Sequence, residues 1–254
     1  MTAEKTTTAF GWRVFGAGMV ALALVALWWG DFDPGQPVPK WFPERTALAY
    51  TADVFMLIAA GALLWRRTTA WGAAALAVYY GLVVVVVMYG RVIFRNYTEY
   101  GAYSGAAGQL AIAAGALIVY AANANIDAAT AGALTRFGQI AFGVCAVLFG
   151  GAHFFYMNLT APLVPAWLPP NQLFWGYATG VFHIAAGVAI LTGIQARLAA
   201  ILLTIMYALF TPLVHTPMLL AGPATHFLWS ENAVNVVLTG VAWIVADSLA
   251  RRRT

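Results

Sequence analysis

Residues 10–30 read FGWRVFGAGMVALALVALWWG, a run whose only charge is Arg13 and which contains no proline. An α-helix rises about 1.5 Å per residue and the hydrocarbon layer is about 30 Å thick, so about 20 apolar residues cross it. The run is longer than the apolar core of a cleaved leader, which takes about 7–15 residues. The WWGDFDPG at its end also lacks a small-x-small cleavage site. It is therefore expected to stay in place as a first membrane helix, preceded by the polar MTAEKTTTA.

Outward from that run the pattern recurs. Further apolar segments cover about 46–65, 70–90, 104–122, 135–156, 172–192, 196–214 and 231–249. Turn and charge signals separate them: Asp31 to Arg45, Arg66-Arg67, Arg91 to Glu99, Asn123 to Asp127, Pro162 to Pro170, Gln195 to Arg197 and Pro217 to Glu231. The whole chain of 254 residues is 62% hydrophobic and 9% charged, where a water-soluble domain carries about 25% charged residues. Such a chain cannot cover itself with water-compatible groups, and the lipid bilayer is the partner that its surface requires. The expected fold class is all-α, a polytopic membrane protein of eight transmembrane helices. Many segments are rich in Gly and Ala, which lets helix backbones approach closely.

The net charge of +4 comes from Lys and Arg at segment ends. It reads as topology rather than as affinity for nucleic acid, since no basic stripe is interleaved with aromatics. One set of ends holds Lys5, Arg13, Arg66, Arg67, Arg136, Arg197 and Arg251 to Arg253; the other holds Lys40, Arg45, Arg91 and Arg95. The positive-inside rule then places both termini in the cytoplasm of a multi-pass protein of the cell (inner) membrane. Cys145 is the only cysteine, which excludes an internal disulfide and a CxxC redox pair.

An internal repeat organises the chain. VPKWFP at 38–43 matches VPAWLP at 164–169, an offset of 126. At that offset Ala59-Ala60-Gly61 meets Ala185-Ala186-Gly187, Ala73-Ala74 meets Ala199-Ala200, Ser104 meets Ser230 and Gln109 meets Asn235. GWRVFG at 11–16 aligns with GQIAFG at 138–143 with one residue of slip. A shared offset across several helices is the signature of duplication. Each copy holds an even number of spans, so the copies share one orientation: two tandem parallel four-helix bundles, 1–128 and 129–254.

The second copy carries a VPxWLPP hairpin, an AAG in its second helix, RLAA opening the third and HTP closing it. In these features it resembles the DoxX-like family of small four-helix membrane proteins, over about 100 residues of the second half. The family takes its name from a subunit of a thiosulfate:quinone oxidoreductase, and some animal relatives resemble membrane chaperones. The resemblance implies a four-helix fold, a redox-associated setting with a quinone as ligand, and another membrane or redox protein as partner. Here two units are fused, and the first contains no histidine.

All four histidines, His153, His183, His215 and His226, lie in the second copy. Imidazole is costly to leave unpaired in hydrocarbon, so His153, His183 and His215 need partners. Glu231, opening the eighth helix on the same side, adds a carboxylate. Three readings are open. The first is a metal centre or haem iron held by His153, His183, His215 and Glu231, since imidazole ligates Fe, Cu and Zn. The second is a polar ligand pocket of His183, His215, Glu231 and Asn235, with Trp167 of the hairpin above it. The third is simple hydrogen bonding to neighbours such as Thr179, four residues before His183, or Thr211, four before His215. No two histidines share a helix at i,i+3 or i,i+4 spacing, so no HExxH-like motif is present. Glu231, Asn235 and Thr239, at steps of four, form a polar face that should look into the bundle. Asp53, about seven residues into the second helix, is the proton-relay candidate. The two proline hairpins, Pro37 to Pro43 and Pro162 to Pro170, are expected to form interfacial lids or plugs, because proline stiffens a loop and tryptophan prefers the headgroup zone.

Three functions fit this reading: a redox-associated module binding a quinone or similar small apolar ligand on the outer side of the second bundle, a membrane metalloenzyme, and a non-catalytic assembly factor. No nucleotide motif, nucleophile elbow or soluble catalytic domain is present.

Overall fold

A computed structural model describes residues 10–250. Lys5 and Arg251 to Arg253, which carry much of the orientation argument, lie outside the described residues. Eight helices are long and apolar enough to cross a bilayer: α1 (Gly11–Trp29), α2 (Arg45–Leu64), α3 (Thr69–Arg95), α4 (Tyr100–Asn123), α5 (Ala128–Phe155), α6 (Gln172–Thr192), α7 (Ala196–Ala221) and α8 (His226–Ala250). No strand occurs among the described residues.

The helices run further than the apolar segments where a polar first turn has its own support. Asp127 caps α5, its carboxylate accepting the Thr130 N–H at 2.9 Å and the Thr130 hydroxyl at 2.6 Å. The helix therefore begins at Ala128, well before the apolar run does. At the far end of the neighbouring helix, Arg136 donates to the carbonyls of Ile190 and Leu191. These last carbonyls of α6 have no partner within their own helix, and a guanidinium suits the negative end of the helix dipole.

Each helix packs on its neighbours in the chain, and the ring closes where α1 lies along α8. The contact between α4 and α8 pinches this ring across its middle. The first helix of each half thus lies on the last helix of the other half, α1 on α8 and α5 on α4. Close approach makes this possible. A Cβ added at Gly240 of α8 would run into the Phe15 backbone of α1, and one at Gly18 would come within 2.7 Å of the Val237 nitrogen. Small residues at crossings are what membrane helices use in place of a hydrophobic driving force. Large apolar side chains such as Ile58, Val87, Leu202 and Leu209 face outward, which lipid accommodates and water would not.

Buried positions recur between the halves. On α2 the buried residues include Asp53, Met56, Ala59, Ala60 and Leu63, and on α6 Gly180, His183, Ala186, Gly187 and Ile190. Each lies 127 residues after its counterpart. Thr69, Ala73, Leu76 and Tyr80 of α3 recur in the same way as Ala196, Ala200, Leu203 and Tyr207 of α7. Between α4 and α8 the offset is 126: Gln109 and Asn235 are both buried, as are Ala111 and Val237. The letter match of the two Ala-Ala-Gly triplets is therefore one residue out of step with the buried faces. Runs of small residues match at adjacent offsets, whereas a one-residue shift turns a helical face by about 100°.

Candidate functional site

A cavity of about 230 Å³ lies in the second half, bounded by α5, α6, α7 and α8, its wall mostly apolar with several polar side chains set into it. His153, His183, His215, Glu231 and Asn235 all line it, together with Thr160, Tyr207, Phe149 and Phe210. Five of the side chains singled out in the sequence are thus brought to one space. The His153 and His183 rings lie 5.5 Å apart between centroids, and Tyr207 is 5.4 Å from His183. Phe149 meets His183 edge-on at 6.2 Å. His183 is buried, and its Nδ1 donates to the Thr179 carbonyl at 2.9 Å. This is the local partner expected four residues earlier, reached through the backbone.

The remaining residues separate from this group. Trp167 sits at the tip of its hairpin, 71% exposed, and does not line the cavity. His226 stacks on Trp29 of α1, with 5.4 Å between ring centroids and planes 6° apart. Asp53 belongs to the first half, buried, and neither carboxylate oxygen finds a hydrogen-bond partner among the described residues. No three His, Cys, Asp or Glu side chains among the described residues are grouped to hold a metal ion.

The cavity owes its shape to two interruptions. The first is in α7, where the helix widens to π turns over Thr211–His215, the Thr216 N–H reaching back to the Thr211 carbonyl. Pro212 there has no N–H to donate, although α3 takes π turns over Tyr79–Tyr89 without any proline. The Asn235 amide then donates to the Tyr207 carbonyl at 2.9 Å and to the Thr211 hydroxyl at 2.8 Å. Thr239 in turn donates to the Asn235 carbonyl, so the polar face of α8 looks inward as its spacing requires. The second interruption is the hairpin. Between α5 and α6 the chain winds into short helical turns, Met157–Thr160 and Ala161–Leu163, of which Thr160 lines the cavity.

In the first half the corresponding space is filled. The loop after α1 turns inward, burying Phe32, Asp33 and Gln36. Tyr79 donates to the Gln36 side-chain oxygen at 2.8 Å, the Gln36 amide reaches the Met56 sulfur at 3.5 Å, and Tyr89 donates to the Gly35 carbonyl at 3.0 Å. The inserted residues precede the Pro37 to Pro43 hairpin expected to form a plug, which is itself half-buried to exposed, Trp41 to 72%. Both hairpins are pinned alike: Arg45 donates to the Val38 carbonyl and Gln172 to the Val164 carbonyl, each at 2.5 Å. The first hairpin carries a plug below this pin, and the second leaves a void there.

Electrostatics follow burial. Asp33, out of water, is pushed up to about 6 from an ordinary 3.8 by desolvation, which the Gly35 N–H and Ser230 only partly offset. For Asp31 burial acts in the same direction, but Arg45, the Phe32 N–H and Lys40 hold the carboxyl below its ordinary value. The Arg45–Asp31 pair is 2.6 Å long.

Sequence reasoning missed Tyr207, Phe149 and Phe210 in the cavity wall, and Asp33 and Gln36 in the plug. For Tyr207 a signal existed: it stands 127 residues after Tyr80, the same slip as the first helices show. Residues 142–246 match a family model described as Domain of unknown function (DUF8561). That stretch contains every residue lining the cavity. No curated protein and no solved structure matches the chain.

Proposed function

We propose that this chain is a binding module of the inner membrane that takes an amphiphile of quinone type, its polar ring in the histidine cavity and its apolar tail in lipid. One observation carries the reading. A wide apolar groove of about 610 Å³ runs between α6 and α7, lined by residues such as Trp175, Phe182, Leu202 and Leu209, and Phe210 belongs to both groove and cavity. A chamber with polar side chains set into its wall and an apolar approach on the lipid side suits a ligand that is polar at one end. The resemblance of the second half to the DoxX-like family points to the same ligand class and to a redox protein as partner. In this reading Asp53 is a proton-relay group, and the cavity opens toward the outer leaflet with both termini cytoplasmic.

The recurrence of buried positions supports reading the chain as two tandem units, 1–128 and 129–254, descended from one four-helix ancestor. One unit keeps a ligand chamber, and the other has closed its own with Gln36 and Asp33.

The test is titration of the purified protein with a short-chain benzoquinone analogue, followed by tryptophan fluorescence. Trp175 lines the groove, so saturable quenching that is lost in Trp175→Phe is expected. Non-saturating quenching that is identical in the variant contradicts the reading. Elemental analysis of the same sample separates the metalloenzyme alternative: one equivalent of Fe, Cu or Zn favours it. A stoichiometric partner without any ligand response favours the assembly factor.

A further inference from the structure

Hydrogen bonds already made inside the protein fix the polarity of two cavity groups, His183 and Asn235, while neutral His153 and His215 each keep one N–H and one acceptor nitrogen. The Thr179 carbonyl can only accept, so His183 Nδ1 carries the proton and the neutral ring presents Nε2 as an acceptor. The Asn235 amide gives both its hydrogens away, to the Tyr207 carbonyl and the Thr211 hydroxyl. A carbonyl partner requires the nitrogen on that side, which assigns the amide orientation and leaves the Asn235 oxygen as an acceptor. Both residues line the cavity, as does the Glu231 carboxyl group. Opposite them the Tyr207 hydroxyl is buried and has no partner among the described residues.

The first half shows what such a position receives. Met56 stands where His183 stands in the other half, and two donors meet its sulfur: the Tyr80 hydroxyl at 3.0 Å and the Gln36 amide at 3.5 Å. The second half keeps the tyrosine, as Tyr207, and the residue of its hairpin connection that lines the cavity is Thr160, whose hydroxyl is donated to the Tyr156 carbonyl. A donor directed at the residue on α2 is thus built into one half and missing from the other.

Resting on the binding-site reading above, we infer that the cavity selects a head group that donates hydrogen bonds: a flat aromatic diol, the hydroquinone form of the amphiphile, in preference to its quinone. The diol supplies hydroxyl donors to His183 Nε2 and the Asn235 oxygen. A quinone carries acceptors alone and sets carbonyl oxygens against both, and a buried acceptor left without a donor is the costlier arrangement. His183 and Asn235 are accordingly the specificity-determining residues, and Phe149 and Phe210 supply flat walls for the ring.

The experiment is calorimetric titration of the full-length protein in detergent, without oxygen, against one alkyl chain bearing four heads: hydroquinone, quinone, hydroquinone dimethyl ether and a primary amine. The hydroquinone is expected to bind at least about tenfold more tightly than the other three, the worth of about one hydrogen bond. In His183→Met, the residue that the first half uses at this position, the hydroquinone-to-quinone ratio falls toward unity through weaker hydroquinone binding, with quinone bound no more weakly than before. Equal or tighter binding of the quinone, the ether or the amine overturns the inference and leaves the pocket reading standing. An unchanged ratio in His183→Met also overturns it. Failure of all four to bind overturns both.

Discussion

Asp33 shows how far a single buried carboxyl shapes this protein. It lies in a loop, yet only 2% of it is exposed, and burial lifts it to about 6 from 3.8. Between those two values the folded protein holds a proton that the unfolded chain has released. Stability therefore falls as pH rises from about 4 to about 6 and is level above, a loss of about 3 kcal/mol from this group. Asp33→Asn removes the titration. Melting temperatures taken from pH 4 to pH 7 should show the variant gaining on the parent protein as pH rises; curves that stay parallel would refute the assignment. In the sequence Asp33 is one charge among several in a polar connection, and nothing local says that the loop turns inward. His153, His183, His215, Glu231 and Asn235 were legible for the opposite reason: polar groups inside apolar runs must face something other than lipid. Trp167 was misjudged because a tryptophan at the interface is as well placed facing lipid as facing a ligand.

The interruption in α7 is the element on which the cavity depends. The helix takes π turns over Thr211–His215, Asn235 takes up the Tyr207 carbonyl, and His215 reaches the cavity wall. Deleting Leu213, one residue of the π turn, lets the ordinary ladder run on. Removing the extra residue of a wide turn rotates the remainder of the helix by about 100°, which carries His215 away from the cavity. Circular dichroism should then show helix content kept or raised, while affinity for the short-chain ligand falls about tenfold or more, the loss of about one hydrogen bond. Unchanged affinity would mean that His215 is not part of the site. Helix number and approximate position were readable from apolar run length, because eight runs of spanning length admit few alternatives. Helix ends were less so, since a capped polar first turn such as that after Asp127 is invisible to hydropathy. The register between halves was misread by one residue, because alanine and glycine repeat too freely to distinguish neighbouring offsets.

Across the molecule, the interior of residues 10–128 is filled and that of residues 129–250 holds a cavity. Their helices are shared around one ring, α1 on α8 and α5 on α4. Periodicity could suggest the repeat, but not this exchange: the glycines that permit it, Gly18 and Gly240 among them, read the same whichever helix they meet. In the first half Gln36 and Asp33 fill the interior; in the second a cavity of about 230 Å³ stands beside an apolar groove between α6 and α7. The cavity and the groove, which share Phe210, are the proposed entry for an amphiphile. Photolabelling is the direct measurement, with an azide-bearing alkyl quinol applied to the protein in bilayers and the labelled peptides mapped. Label concentrated on α6 and α7, at residues such as Phe182, Leu202 and Leu209, and competed away by unlabelled quinol, is the predicted result. Label spread equally over α2 and α3, or unaffected by competitor, would contradict the account.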